Sequence, residues 1–154
     1  MARRFTARET ALRLLARRDH SREELRQKLA AREYSDEDIE SELEELSRKS
    51  LIDDGRFAEA FVRWELERGF GALAIRDRLR RKGISLPEDA IADEREIDSL
   101  RAYLQSRGID PAAPSPAAER ARLSRRLRGR GYRGSTLAKV FGSTRIIESG
   151  EDAP

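Results

Sequence analysis

The stretch LRQKLAAREYSDEDI, residues 25–39, decides how the chain is read: its apolar residues Leu25, Leu29, Tyr34 and Ile39 step by four, five and five positions. LSRRLRGRGYRGSTL, residues 123–137, repeats that spacing through Leu123, Leu127, Tyr132 and Leu137. IRDRLRRKGI, residues 75–84, repeats its first part through Ile75, Leu79 and Ile84, then runs to Ala90 and Ile91 one or two residues late, with Pro87 nearby. A four-residue step puts two side chains on one helical face, and a five-residue step crosses a helix end. Gly83 and Gly131 stand directly before the apolar residue that follows the helix, where a left-handed cap places glycine. Glu33 holds that place in the first copy, so a different cap is expected there.

Working outward, the start signals agree with a repeat of about fifty residues. Thr6 to Glu9, Ser21 to Glu24, Ser35 to Asp38 and Ser85 to Glu88 each place an acid three residues after a hydroxyl, the pattern of a capping box. Asp53 or Asp54 can cap a helix beginning near Arg56, and Ser115 followed by Pro116 offers another start. The spacing predicts helices over 7–18, 22–32 and 36–49, then 55–68, 72–82 and 87–94, then 95–107, 116–129 and 135–142. The expected architecture is all-α: three tandem three-helix repeats over 1–52, 53–94 and 95–142, elongated and curved, with a flexible tail over 143–154. Expected core positions on the first helices are Ala11, Leu12 and Leu15; Phe57, Ala60, Phe61 and Trp64; and Leu100, Tyr103 and Leu104. Ile39, Leu43, Leu46, Leu51 and Ile52 would close the first repeat, and the proline-bearing segment 109–118 reads as a loop.

Composition narrows the function. With 154 residues, 40% charged and 38% hydrophobic, the chain suits thin helical layers with large solvated faces. It has no cysteine, which excludes a thiolate nucleophile and a Cys-type zinc site, and one histidine, which excludes a His-rich metal centre. His20 reads as an exposed residue at a helix end, Asp53 and Asp54 as caps, and Gly69-Phe70-Gly71 as a turn rather than a phosphate loop. No acid, base, nucleophile or metal set emerges, so the chain is expected to be no enzyme and to need no cofactor. With no signal-like segment and no 18-residue apolar run, it is expected in the cytoplasm.

The net charge of +3 conceals alternating blocks. Residues 1–28 carry +5, residues 33–59 carry −8, residues 60–82 carry +4, residues 83–116 carry −4, and residues 117–145 carry +8 with Glu119 as the lone acid. If Ile75 and Leu79 face inward, Arg76 and Arg80 lie one turn apart, with Arg81 and Lys82 extending the basic surface. Arg125, Arg126, Arg128, Arg130 and Arg133 form a denser cluster that has too few local acids to be internally paired. Guanidinium groups grip phosphate or carboxylate through two hydrogen bonds, so these nine residues are the candidate contacts for an acidic protein or nucleic acid. A solvated helix face is the alternative.

The residues from about Thr10 to Phe141 resemble the RecX regulatory proteins, modulators of the RecA recombinase. The likeness rests on Ala11 to Leu15 with Arg18 to Leu25, on Leu51 to Ala58, on Arg68 to Gly71 continuing through Ile75 and Leu79 to Lys82-Gly83-Ile84, and on Arg130-Gly131-Tyr132. The resemblance implies three tandem three-helix repeats and a non-enzymatic protein that lies along the groove of the RecA filament and restrains its recombinase, ATPase and coprotease activities. Direct DNA contact is expected to be weak and secondary, and a monomer is expected. The contrasting reading is a direct DNA-binding module.

Overall fold

The structure, a computed structural model, describes residues 5–142. Eight helices and no strand occur among them: α1 (Ala7–Leu15), α2 (Arg22–Ala30), α3 (Asp36–Arg48), α4 (Asp54–Glu67), α5 (Ala72–Arg81), α6 (Asp93–Ser106), α7 (Ala117–Gly129) and α8 (Gly134–Phe141). The expected tail over 143–154 lies outside the described residues. The described residues form two compact units, residues 5–61 with 78–86 and residues 62–77 with 87–142, so the division passes through α4 and α5.

In the first unit, capping boxes at Thr6 and Ser21 start α1 and α2, and the Ser35 hydroxyl accepts the Asp38 N–H at the start of α3. Each such cap contributes about 1 kcal/mol. Asp53 takes the Arg56 N–H at 3.0 Å and starts α4. Its core is Ala11, Leu25, Leu29, Ile39, Leu43, Leu46 and Ile52, with Leu14, Leu15 and Tyr34 against it. Full burial of each leucine or isoleucine contributes about 1.5–3 kcal/mol. The second unit holds a core of Leu100, Leu104, Leu127, Tyr132 and Leu137, edged by Tyr103, Ile109, Leu123, Val140 and Phe141.

Several expectations are corrected. No helix forms over 87–94: residues 88–89 make a turn, with a bond from the Ala90 N–H to the Pro87 carbonyl at 3.3 Å, and Asp93 and Glu94 already belong to α6. Only Ile91 is buried over 87–92, and one apolar anchor cannot offset the cost of nucleating a helix. Ser85 therefore caps nothing helical, and the N-cap of α7 is Pro116 rather than Ser115. Glu33 does not need a different cap. It adopts φ 61, like Gly83 at φ 79 and Gly131 at φ 87, and all three repeats close with the same bond, from Tyr34, Ile84 and Tyr132 back to Leu29, Leu79 and Leu127.

The core face of α4 also differs. Ala58, Val62 and Leu66 are buried, whereas Trp64 is 51% exposed and Phe57, Ala60 and Phe61 are half-buried. The smaller aliphatic residues at steps of four allow closer packing, and the aromatic arc is turned away from it. Leu12 and Leu51 are exposed for the same kind of reason, since Ala11 and Ile52 occupy the inward positions beside them. His20 is buried: its Nδ1 lies 2.9 Å from the Arg18 carbonyl, and burial lowers its pKa below 6.5.

Candidate partner-binding surfaces

Each unit contains one joint in which a cation-glycine-apolar segment seats on a helix N-terminus. In the first unit the segment is Lys82-Gly83-Ile84 and the seat is the start of α2. The Ser21 hydroxyl donates to the Lys82 carbonyl at 2.7 Å, while accepting the Glu24 N–H at 3.1 Å. A Cβ on Gly83 would come within 2.4 Å of the Glu23 Cβ. Lys82 Nζ donates to Glu24 at 2.6 Å and lies 5.6 and 5.9 Å from the ring centres of Phe61 and Phe57. Burial alone would raise the Glu24 carboxyl, but hydrogen bonds from Lys82, Arg18 and the Ser21 N–H outweigh it and hold the pKa at about 2.

In the second unit the segment is Arg130-Gly131-Tyr132 and the seat is the start of α5. Backbone replaces side chain: the Gly71 N–H donates to the Arg130 carbonyl at 2.9 Å and the Leu73 N–H to the Gly131 carbonyl at 3.0 Å. Contact is so close that a Cβ on Gly71 would lie 2.3 Å from the Tyr132 nitrogen, and one on Gly131 would lie 2.4 Å from Ala74. Tyr132 is buried here, which pushes its phenol up to about 12.

A fully buried carboxylate stands beside this joint. Glu96 accepts the Ala72 N–H at 2.7 Å, Arg133 Nε at 2.7 Å and the Thr136 hydroxyl at 2.5 Å. Arg133 also donates to the Ile91 carbonyl at 2.8 Å and pairs with Asp93 at 2.9 Å. Through Arg130 the joint continues into an alternation of guanidinium groups and rings. Arg68 stacks over Trp64 at 4.3 Å and Phe70 at 5.6 Å, Arg130 over Phe70 at 4.3 Å and Tyr103 at 4.9 Å, and Arg107 over Tyr103 at 5.2 Å.

The nine candidate contacts thus divide. Arg130 is tied to the Gly69 and Arg68 carbonyls, and Arg133 is paired with Asp93 and Glu96, acids that come from α6 rather than from its own block of sequence. Lys82 is paired with Glu24, and Arg76 lies 4.0 Å from the exposed Glu88. Arg80 and Arg81 are exposed at the end of α5. Arg125, Arg126 and Arg128 are exposed on α7 with no carboxylate partner among the described residues. Arg120 and Arg122, which sequence reasoning passed over, stand beside them on the same helix and are equally exposed. Glu96 had a legible signal, since it falls four residues before Leu100 and eight before Leu104 on the apolar face. The alternating ladder had none, because its members come from three separate segments. Among the described residues, no group of three or more His, Asp or Glu side chains is placed to hold a metal ion, and no helix is long and apolar enough to cross a membrane.

Short helices in tandem, joined by repeated segments, define a helical-repeat protein. Comparison with known proteins gives the family. Residues 7–46 match the model of the RecX first three-helix domain, and residues 53–91 match that of the RecX second three-helix domain. The regulatory protein RecX of Halorhodospira halophila is 40% identical over 128 residues, covering 81% of this chain and 80% of the relative. That of Chromohalobacter salexigens is 41% identical over 135 residues, covering 82% and 85%. A crystal structure of RecX from Lactobacillus salivarius superposes with a TM-score of 0.71 at 22% identity, covering 87% of this chain and 91% of that one. The chain belongs to the RecX family of regulatory proteins.

Proposed function

We propose that this protein binds the RecA filament as a non-enzymatic cytoplasmic monomer and restrains its recombinase, ATPase and coprotease activities. Three repeats over 1–52, 53–94 and 95–142 would supply the surface. Family membership supports the regulatory role. The observation that carries the contact surface is α7: Arg120, Arg122, Arg125, Arg126 and Arg128 are exposed there without acidic partners among the described residues, while the half-buried Arg130 and Arg133 are tied to backbone carbonyls and to Glu96. A row of unpaired guanidinium groups suits carboxylates on a filament or phosphates of DNA within it. Weak secondary DNA binding would follow, with affinity falling by about 0.7 to 0.9 logarithmic units per logarithmic unit of salt for each phosphate contacted.

The test is a RecA ATPase assay on single-stranded DNA with the protein titrated in. Inhibition at or below stoichiometric amounts is expected. Arg125→Glu, Arg126→Glu and Arg128→Glu together should weaken inhibition most at low salt, with helicity unchanged. Absence of inhibition by the unmodified protein would remove this reading, and sequence-specific duplex binding that survives raised salt would replace it with a dedicated DNA-binding module.

A further inference from the structure

We infer that the alternating ladder Trp64, Arg68, Phe70, Arg130, Tyr103 and Arg107 is a stacking platform for the unpaired bases of single-stranded nucleic acid. The inference stands apart from any contact with a recombinase, and it uses residues other than the exposed arginines of α7.

A comparison within the molecule separates this role from mere joining. Lys82 and Arg130 occupy the same place in the two joints, each before the left-handed glycine and each over a ring of its repeat's first helix. In the first unit the cation is neutralised by Glu24. The corresponding seat position in the second unit is Ala74, and neither Arg130 nor Arg107 has a carboxylate partner among the described residues. The joint can therefore be built with its charge compensated, and in the second unit it is not. The ladder also extends past the joint at both ends, to the half-exposed Trp64 and the exposed Arg107, neither of which takes part in the backbone bonds of the seat.

The chemistry selects the occupant. Aromatic faces and guanidinium planes both stack on bases. Arg68 is paired with the buried Glu65 at 3.5 Å, so Arg130 and Arg107, which have no carboxylate partner among the described residues, are the charges that attract the phosphates between them. The bases of a duplex are already stacked, so it could use only the charges. An acidic polypeptide would likewise have no use for Trp64, Phe70 and Tyr103 in alternation. Arg130 is held by two hydrogen bonds of 2.6 Å to the carbonyls of Arg68 and Gly69, which fixes the middle of the platform before any ligand arrives.

Trp64 is the chain's single tryptophan, so the platform carries its own reporter. The full chain, with no recombinase present, is titrated at low salt with oligothymidylate while its fluorescence is followed. Parallel titrations use an oligomer of equal length made of abasic sites, a duplex, and polyglutamate. Saturable quenching by oligothymidylate is expected, with abasic oligomer and duplex giving at most a small fraction of it. Phe70→Leu should weaken oligothymidylate binding about fivefold or more, and Arg107→Ala about two- to fivefold, both with unchanged circular dichroism. If Phe70→Leu unfolds the protein, the exposed Arg107→Ala variant still decides the matter. Equal quenching by the abasic oligomer, the duplex or polyglutamate would overturn the inference, as would an unchanged affinity in Arg107→Ala.

Discussion

The joint at the start of α2 and the joint at the start of α5 perform one task with different materials. The first uses side chains: the Ser21 hydroxyl reaches the incoming carbonyl and a Lys82–Glu24 pair locks the cation. The second uses glycine on both sides, so that backbone meets backbone at Gly71 and Gly131, and its carboxylate, Glu96, is displaced into the interior. Both joints exclude an added atom at their left-handed glycine, but only the polar side-chain joint responds to pH. The spacing of apolar residues is the same in both, so the pattern that defines the repeat does not determine how repeats are fastened.

The comparison can be broken most forcefully at the carboxylates. Glu96→Ala removes the partner of a mostly buried Arg133 together with two other hydrogen bonds, and a loss of about 3–5 kcal/mol is expected in urea unfolding. Next comes the backbone contact. Gly131→Ala forces a methyl group against Ala74 from a left-handed conformation and should cost about 2–4 kcal/mol. Gly83→Ala should cost a comparable amount, because the Glu23 Cβ, 2.4 Å from the added methyl, is fixed by the α2 backbone and Gly83 is also left-handed.

Acid should distinguish the first joint. The folded Glu24 carboxyl titrates at about 2 against 4.5 ordinarily, so the unfolded chain takes up the proton first. Its contribution, about 2–3 kcal/mol, is complete above pH about 4.5 and is lost as pH falls toward about 2. Glu24→Gln should flatten that part of the stability profile, measured by urea unfolding across the range. The smallest effect is expected at Trp64→Ala: the side chain is half-exposed, and losing its stack with Arg68 should cost about 1 kcal/mol or less in thermal unfolding. A loss of several kcal/mol would show that Trp64 belongs to the core after all.

Periodicity and capping residues made most of the helices legible. Thr6, Ser21 and Ser35 start the expected helices because their capping bonds are local, and the four- and five-residue steps identify Leu25, Leu29, Leu127 and Tyr132 as buried. What failed depended on distant partners. Phe57, Phe61 and Trp64 fit a helical face as well as Ala58, Val62 and Leu66 do, and hydrophobicity alone favours the larger set, whereas close packing favours the smaller. Arg133 seemed unpaired because charge was counted along the chain, yet its acids lie some forty residues earlier, on α6. Arg125, Arg126 and Arg128 were read as exposed cations, and they are exposed because they lie off the narrow Leu123–Leu127 stripe.

The placement of residues 78–86 with the first unit has a consequence for anyone dividing this protein. Repeats counted along the sequence and bodies counted in space do not share boundaries: the first body takes residues 53–61 and 78–86 out of the second repeat. A fragment cut at residue 52 would keep Ser21 and Glu24 but lose Lys82 and Gly83, leaving the amino end of α2 without its covering strap. A fragment cut at residue 94 would keep Gly71 and lose Gly131 together with Glu96. Truncation at the apparent seams therefore exposes raw edges, and gain or loss of a repeat during descent would have to carry with it the segment that closes its neighbour.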